Sequence, residues 1–180
     1  KSHKISFQAT ENQSLQTTLD MDMQTRVADL LFRHHQHLRA NGINNAAAMV
    51  MDVESGNVLA YVGNVYQPDR PDFDSHVDVI TAPRSPGSTL KPLLYEAMLS
   101  DGLILPKSLI ADVPTQIGGY KPQNFDLSYD GAVPASKALS RSLNIPAVRM
   151  LQQYRTERFH ARLRQLGVST IPKPPGHYGL

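Results

Sequence analysis

The sequence predicts an α+β fold, and three observations carry that expectation. One pair of apolar runs flanks a turn-forming quartet, one helix-period segment precedes it, and several more fill the second half of the chain. At 180 residues the length suits roughly one domain, by a divisor of about 150, able to bury about 70% of the surface its unfolded form would expose. No internal repeat interrupts this organisation.

Residues 1–18 are polar, with Ile5, Phe7 and Leu15 apolar at irregular spacing, and read as a linker from an upstream region; the domain proper is expected over 19–180. Asp20 or Asp22 can cap a helix in which Val27, Leu30, Leu31, His34 and Leu38 keep helical spacing, with Asn41-Gly42 as its stop. Residues 46–53 and 58–62, separated by Glu54-Ser55-Gly56-Asn57, make a β-hairpin. Residues 64–86 hold four Pro and several acidic residues, with a short strand expected at 77–81; so long a connection favours a functional role, such as the start of a cleft. Leu90, Leu93, Leu94, Ala97 and Met98 give a helix over 89–100, ended by Asp101-Gly102, with Pro92 in the first turn where its missing N–H costs little. Residues 106–134, rich in Pro, Gly, Asn and Asp, are expected to form an irregular surface loop. Three short helices follow at 135–143, 147–153 and 156–166, the last capped by Thr156 and closed by Gly167.

Composition removes several classes of function. Lys and Arg number 18 against 16 Asp and Glu, and only 19% of residues are charged, so no basic field exists to bind nucleic acid. The longest apolar run, residues 46–51, is far short of the roughly 20 residues that cross a hydrocarbon core, and residues 1–10 lack a signal-peptide layout. With no Cys, disulfides, thiolate nucleophiles and Cys-based zinc sites are all excluded. His34, His35 and His37 share a helix with no carboxylate at metal-ligand spacing, and Asp72, Asp74 and Asp78 lack the Gly and terminal Glu of an EF-hand, so no metal is expected. Arg155, Arg158, Arg162 and Arg164 interleave with Phe159 and Leu163 as the basic outer face of an amphipathic helix.

The sharpest feature is Arg84-Ser85-Pro86-Gly87-Ser88-Thr89-Leu90-Lys91-Pro92. A Ser and a Lys three apart at a helix start have Cβ atoms roughly 5 to 6 Å apart, so the Lys91 amine can reach the Ser88 hydroxyl as base to nucleophile. The helix dipole favours negative charge there. For Lys91 to accept a proton, its pKa must fall from about 10.4 toward about 7, which burial and neighbours must supply at about 4 to 5 kcal/mol. The spacing is weak evidence by itself. With 14 Ser and 7 Lys, about 0.5 such pairs arise by chance, and a helix-capping Ser beside a Lys lying along its helix has the same pattern.

A second constellation is Ser142-Leu143-Asn144, where a Ser could relay a proton between Lys91 and a leaving amine, and an Asn amide could hold both the Lys and a peptide substrate. About 0.6 Ser-x-Asn triplets are expected by chance, Ser55-Gly56-Asn57 belongs to the hairpin turn, and Ser142 and Asn144 also suit a plain helix ending.

Together, Arg-x-Pro-Gly-Ser-x-x-Lys-Pro and the later Ser-x-Asn resemble the transpeptidase domain of class A penicillin-binding proteins. Further segments share the likeness: Thr17-Thr18-Leu19-Asp20 resembles the entry to that domain, and Pro122-Gln123-Asn124-Phe125-Asp126 with Tyr129 and Gly131 resembles its Pro-x-Asn loop. Residues 138–148 resemble the segment holding its second motif, and residues 78–87 look closest to the penicillin-binding protein 1C subgroup.

The resemblance implies a penicillin-binding/serine β-lactamase-like transpeptidase fold, here incomplete, with the hairpin belonging to the central antiparallel sheet and the remaining strands missing. It implies a peptidoglycan D,D-transpeptidase that works through a serine acyl-enzyme and is trapped by β-lactams. Ser88 would be the nucleophile, Lys91 the general base, Ser142 the proton relay, and Asn144 the substrate-binding donor that also orients Lys91. No cofactor or metal is implied. The implied partners are peptidoglycan stem peptides and β-lactams, in a periplasmic setting, with a membrane anchor and an attached glycosyltransferase domain in the parent protein. The family's third motif, Lys-Thr/Ser-Gly, does not occur in these 180 residues; it is expected some hundred residues beyond Leu180, which would leave this stretch inactive alone. The alternatives are a serine β-lactamase, for which no Glu-x-x-Leu-Asn segment is present, and a non-enzymatic β-lactam sensor.

Overall fold

The computed structural model describes residues 16–178. The chain divides into two compact units, Lys1–Ala82 and Pro83–Leu180. The linker expected over 1–18 lies mostly outside the described residues; at its end, the Thr18 hydroxyl donates to Val58 O at 2.6 Å.

In the first unit, helix α1 runs Met21–Leu38 and is capped by Asp20, whose side chain accepts from Met23 N at 2.8 Å. Strands β1 (Ala48–Met51) and β2 (Val58–Val62) form the expected hairpin, pairing Ala48 with Val62 and Val50 with Ala60. Asp52 ties the turn, its carboxylate accepting from the Ser55 backbone N–H at 2.7 Å and from the Ser55 hydroxyl, which holds the carboxyl below its usual range. The outer edge of β2 is not left open. Asp20 N donates to Leu59 O at 2.9 Å, and the Gln24 side-chain amide grips Tyr61 from both sides, donating to its O at 3.0 Å and accepting from its N at 2.8 Å. This fixes which face of α1 turns inward. That face runs through Gln24, Val27, Leu31, His35 and Leu38, with His35 fully buried, whereas Leu30 and His34, expected there, are exposed.

No strand forms at residues 77–81. Instead Asp78 folds the segment into bends: it accepts from Ile80 N at 2.9 Å and from the Tyr61 hydroxyl at 2.6 Å, while Val79 N reaches Gly63 O at 2.9 Å. A side chain that bonds its own neighbouring backbone competes with a strand ladder.

In the second unit, the helix expected over 89–100 is split. Gly87–Leu90 is a 3₁₀ turn, and α2 follows as Lys91–Ser100 with Pro92 in its first turn. The stretch 106–134 is corrected: its ends pair as antiparallel strands β3 (Leu109–Asp112) and β4 (Gly131–Pro134), leaving the loop between them. Helix α3 is Ala135–Ser140, shorter than expected, and α4 is Asn144–Tyr154, starting three residues early. Helix α5 is Thr156–Gln165, and a final turn, α6, is Pro175–Tyr178. Thr156 does not cap α5; it is the first helical residue, and Arg155 precedes it at φ +76°.

The core of this unit joins Leu94, Ala97 and Met98 of α2 with Met150 and Tyr154 of α4 and Phe159 and Leu163 of α5. Each large side chain buried there contributes about 1.5–3 kcal/mol. The arginine face of α5 is not simply solvated. Arg158 pairs with Asp101 at 2.9 Å and Arg162 with Glu96 at 3.0 Å, binding α5 to α2 and to the residue that follows it.

Candidate active site

Lys91 is the first residue of α2, so its side chain projects beside the 3₁₀ turn that carries Ser88. Its amine has three acceptors, from the end of the α3–α4 connection and the first residue of α4: Ser142 O at 2.6 Å, Ser142 Oγ at 3.2 Å and Asn144 Oδ1 at 2.7 Å. No carboxylate forms an ion pair with it among the described residues. Burial pushes the Lys91 amine below its ordinary pKa. That is the direction a lysine must move to take up a proton near neutrality.

Helix α3 ends in a Schellman motif: Leu143 N donates to Ala138 O at 3.0 Å and Ser142 N to Leu139 O at 2.9 Å, while Ala138 and Leu143 pack together with Val133. Ser142 therefore sits in the left-handed region, at φ +54°. That turn presents both its carbonyl and its hydroxyl to the same amine.

Asn144 opens α4 instead of ending the preceding helix. Its side-chain orientation follows from its partners. Gln123 O can only accept, so Nδ2 faces it, at 2.8 Å, and Oδ1 is left to face the Lys91 amine. The residue before it, Leu143, offers no capping side chain. Asn124, from the loop between β3 and β4, supplies the cap: its Oδ1 accepts from Asn144 N at 2.9 Å and Ile145 N at 3.2 Å. The next residue, Pro146, has no N–H to satisfy.

Ser88, Lys91 and Asn144 line one cleft of about 830 Å³, with Tyr120 on its wall. Ser88 is exposed. Its hydroxyl forms no hydrogen bond with Lys91 Nζ; the amine is occupied by Ser142 and Asn144 instead. Of the four residues singled out by sequence, Ser142 and Asn144 are thus joined to Lys91 through its amine, and Ser88 lines the same cleft. Sequence reasoning assigned Asn124 no role. A capping Asn twenty residues from the helix it caps leaves no periodic signal, and only its place in the Pro-x-Asn loop marked it.

The penicillin binding protein transpeptidase domain family matches residues 46–176. Penicillin-binding protein 1C of Escherichia coli is 40% identical over 159 residues, which are 88% of this chain and 20% of that protein. Penicillin-binding protein 1B of Vibrio cholerae is 34% identical over 69% of this chain and 16% of its own length. The chain thus spans about a fifth of the length of the relatives it matches, or less. Among solved structures, the penicillin-binding protein PonA1 from Mycobacterium tuberculosis superposes with a TM-score of 0.68 at 24% identity, covering 87% of this chain and 39% of that one. A peptidoglycan glycosyltransferase from Burkholderia ambifaria gives a TM-score of 0.69 at 22% identity, covering 88% and 46%. These two likenesses are of fold.

Proposed function

Because the chain belongs to the penicillin-binding protein transpeptidase family, we propose that it carries the nucleophilic half of a peptidoglycan D,D-transpeptidase site. The observation that carries this reading is the Lys91 amine, half-buried, in no ion pair with a carboxylate among the described residues, and held between Ser142 and Asn144 at the wall of the cleft that Ser88 lines.

In this reading the Ser88 hydroxyl attacks the penultimate D-Ala carbonyl of a stem peptide, and neutral Lys91 accepts the hydroxyl proton. The Ser88 backbone N–H stabilises the resulting oxyanion. As the C–N bond breaks, the proton passes through Ser142 to the departing D-Ala, leaving an ester on Ser88. An amine from a neighbouring stem then attacks that ester, returns its proton to the site, and releases Ser88. Asn144 keeps the Lys91 amine in register, and the second hydrogen of its amide group is available to the substrate's peptide group. A β-lactam acylates the same hydroxyl when its ring amide opens. The solved PonA1 protein has been captured with penicillin V, which supports that part of the reading. No cofactor enters any of these steps.

The same reading sets the reaction on the periplasmic face of the bacterial inner membrane, where peptidoglycan lies. It gives the full-length protein a membrane anchor and an attached glycosyltransferase domain. Similarity to penicillin-binding proteins 1C and 1B supports this.

The test is covalent labelling of the full-length protein with a fluorescent penicillin. The label is expected on Ser88, and Ser88→Ala is expected to abolish it; retained labelling in that variant overturns the assignment. Incubation with donor and acceptor peptides then separates the reactions, since a cross-linked product marks a transpeptidase and hydrolysis alone marks a β-lactamase.

A further inference from the structure

Asn124 is 2% exposed and Asp112, beside it, 1%. Every hydrogen-bonding position of the Asn124 side chain is filled. Nδ2 donates to Asp112 Oδ1 at 2.7 Å and to Ser128 O at 2.9 Å, and Oδ1 accepts from the backbone N–H groups of Asn144 and Ile145. Asp112 is held in turn, its other oxygen accepting from Asp130 N at 3.1 Å. The adjacent carbonyl, Gln123 O, takes the Asn144 side-chain amide. Asn144 is therefore gripped twice by consecutive residues of one loop, at its backbone N–H and at its side-chain nitrogen. The remaining side-chain atom, Oδ1, holds Lys91 at 2.7 Å.

We propose that Asn124, anchored by Asp112, is a positioning residue that sets the location of Asn144 and, through it, of the Lys91 amine. The inference rests on the functional reading given above. A side chain with no unused hydrogen-bonding position, buried and joining three segments, admits one arrangement of the group it holds. Loss of that arrangement leaves two helix N–H groups and a buried carboxylate oxygen without partners. Relaxation of the first turn of α4 then carries Asn144 Oδ1 away from Lys91. A residue that acts only on folding would lower stability and leave the reaction of folded molecules untouched.

The experiment uses the full-length protein and the second-order rate of labelling by fluorescent penicillin, measured well below each variant's melting temperature. In Asn124→Asp, two carboxylates face each other across the 2.7 Å contact with Asp112, and labelling is expected to slow at least tenfold. Adding Asp112→Asn restores a donor to that contact, while the carboxylate at position 124 still accepts from the start of α4, where the helix dipole favours it. The double variant is expected to label at least about threefold faster than Asn124→Asp, short of the parent rate because the carboxylate at position 124 still opposes Ser128 O. Asn124→Ser, which cannot span the same partners, carries the comparison if Asn124→Asp does not fold. Labelling at the parent rate in folded Asn124 variants, or no recovery in a folded swap, overturns the proposal. Failure of the unsubstituted protein to label at all overturns the functional reading instead, and the two failures are thereby distinguished.

Discussion

Ser142 closes α3 in the same backbone position that Gly102 takes after α2. Gly102 N donates to Leu99 O and Leu103 N to Met98 O, at φ +68°, the pattern that Ser142 and Leu143 repeat at φ +54°. Gly167 closes α5 the same way at φ +88°. Glycine occupies that position at two of these ends because a Cβ there is unfavourable. At the third, a serine bears the strain, and its hydroxyl reaches Lys91.

Ser142→Gly is therefore expected to stabilise the protein and to disable it. Relief of a left-handed non-glycine residue gains about 1–2 kcal/mol, and the extra freedom of glycine in the unfolded chain returns about 0.5–1, so the net gain is about 0–1.5 kcal/mol. Ser142→Ala keeps the strain and loses the hydroxyl, so it should not stabilise. Both variants should label slowly with penicillin. Thermal denaturation beside labelling kinetics checks this, and a destabilised Ser142→Gly would show that the turn carries no strain.

The structure repays the sequence reading where the signal was local. Asp20 caps α1, Glu54-Ser55-Gly56-Asn57 turns the hairpin, and Gly102 and Gly167 close their helices, because each acts within a few residues of itself. The errors fall where pairing is distant. Strand β4 contains Gly131 and Pro134, both poor strand residues, and forms because β3 lies opposite it. Helix α4 starts at Asn144 because Asn124 caps it from another loop, which sequence spacing does not show. At the site, Ser88, Lys91, Ser142 and Asn144 were legible as motif fragments. The contacts that bring Ser142 and Asn144 to Lys91 span 51 and 53 residues and required the fold.

Acylation should rise with pH along a limb that lies below the ordinary lysine value of about 10.4. Burial lowers the Lys91 pKa, and in the proposed reaction the neutral amine is the base, so its fraction grows as pH climbs through the lowered value. The sign for stability follows. Between the folded and unfolded values the unfolded chain holds more protons at this site, so stability should also increase with pH across that window and level off above about 10.4. Labelling rates from about pH 6 to about pH 10, compared with Lys91→Met, check the first claim. A flat profile in the unsubstituted protein would remove Lys91 as the base.

Gln24 replaces a neighbouring strand for Tyr61, and Gln24→Ala strands one N–H and one C=O at the β2 edge. The edge is half-buried, so water compensates in part and the expected loss is about 1–2 kcal/mol. Gln24→Glu keeps an acceptor for Tyr61 N but sets a carboxylate against Tyr61 O, and should be no better than alanine at neutral pH. Denaturant titration gives the energies, and faster amide exchange at Tyr61 identifies the bond that was lost.

Leu94 and Met98 are one helical turn apart on α2 and both buried in the same core, but only Leu94 also lines the cleft with Ser88 and Lys91. Truncating either to Ala should cost about 2–5 kcal/mol, since each leaves a cavity in packed surroundings. Their effects on the reaction should part company. Met98→Ala, measured while still folded, should label at the unsubstituted rate, whereas Leu94→Ala removes cleft wall beneath Lys91 and admits water to an amine whose lowered pKa comes from burial. In Leu94→Ala the pH limb should therefore move up toward the ordinary lysine value. Equal limbs in the two variants would mean that the cleft wall near Leu94 does not set the Lys91 environment, and that its desolvation comes from the Ser142 and Asn144 side alone.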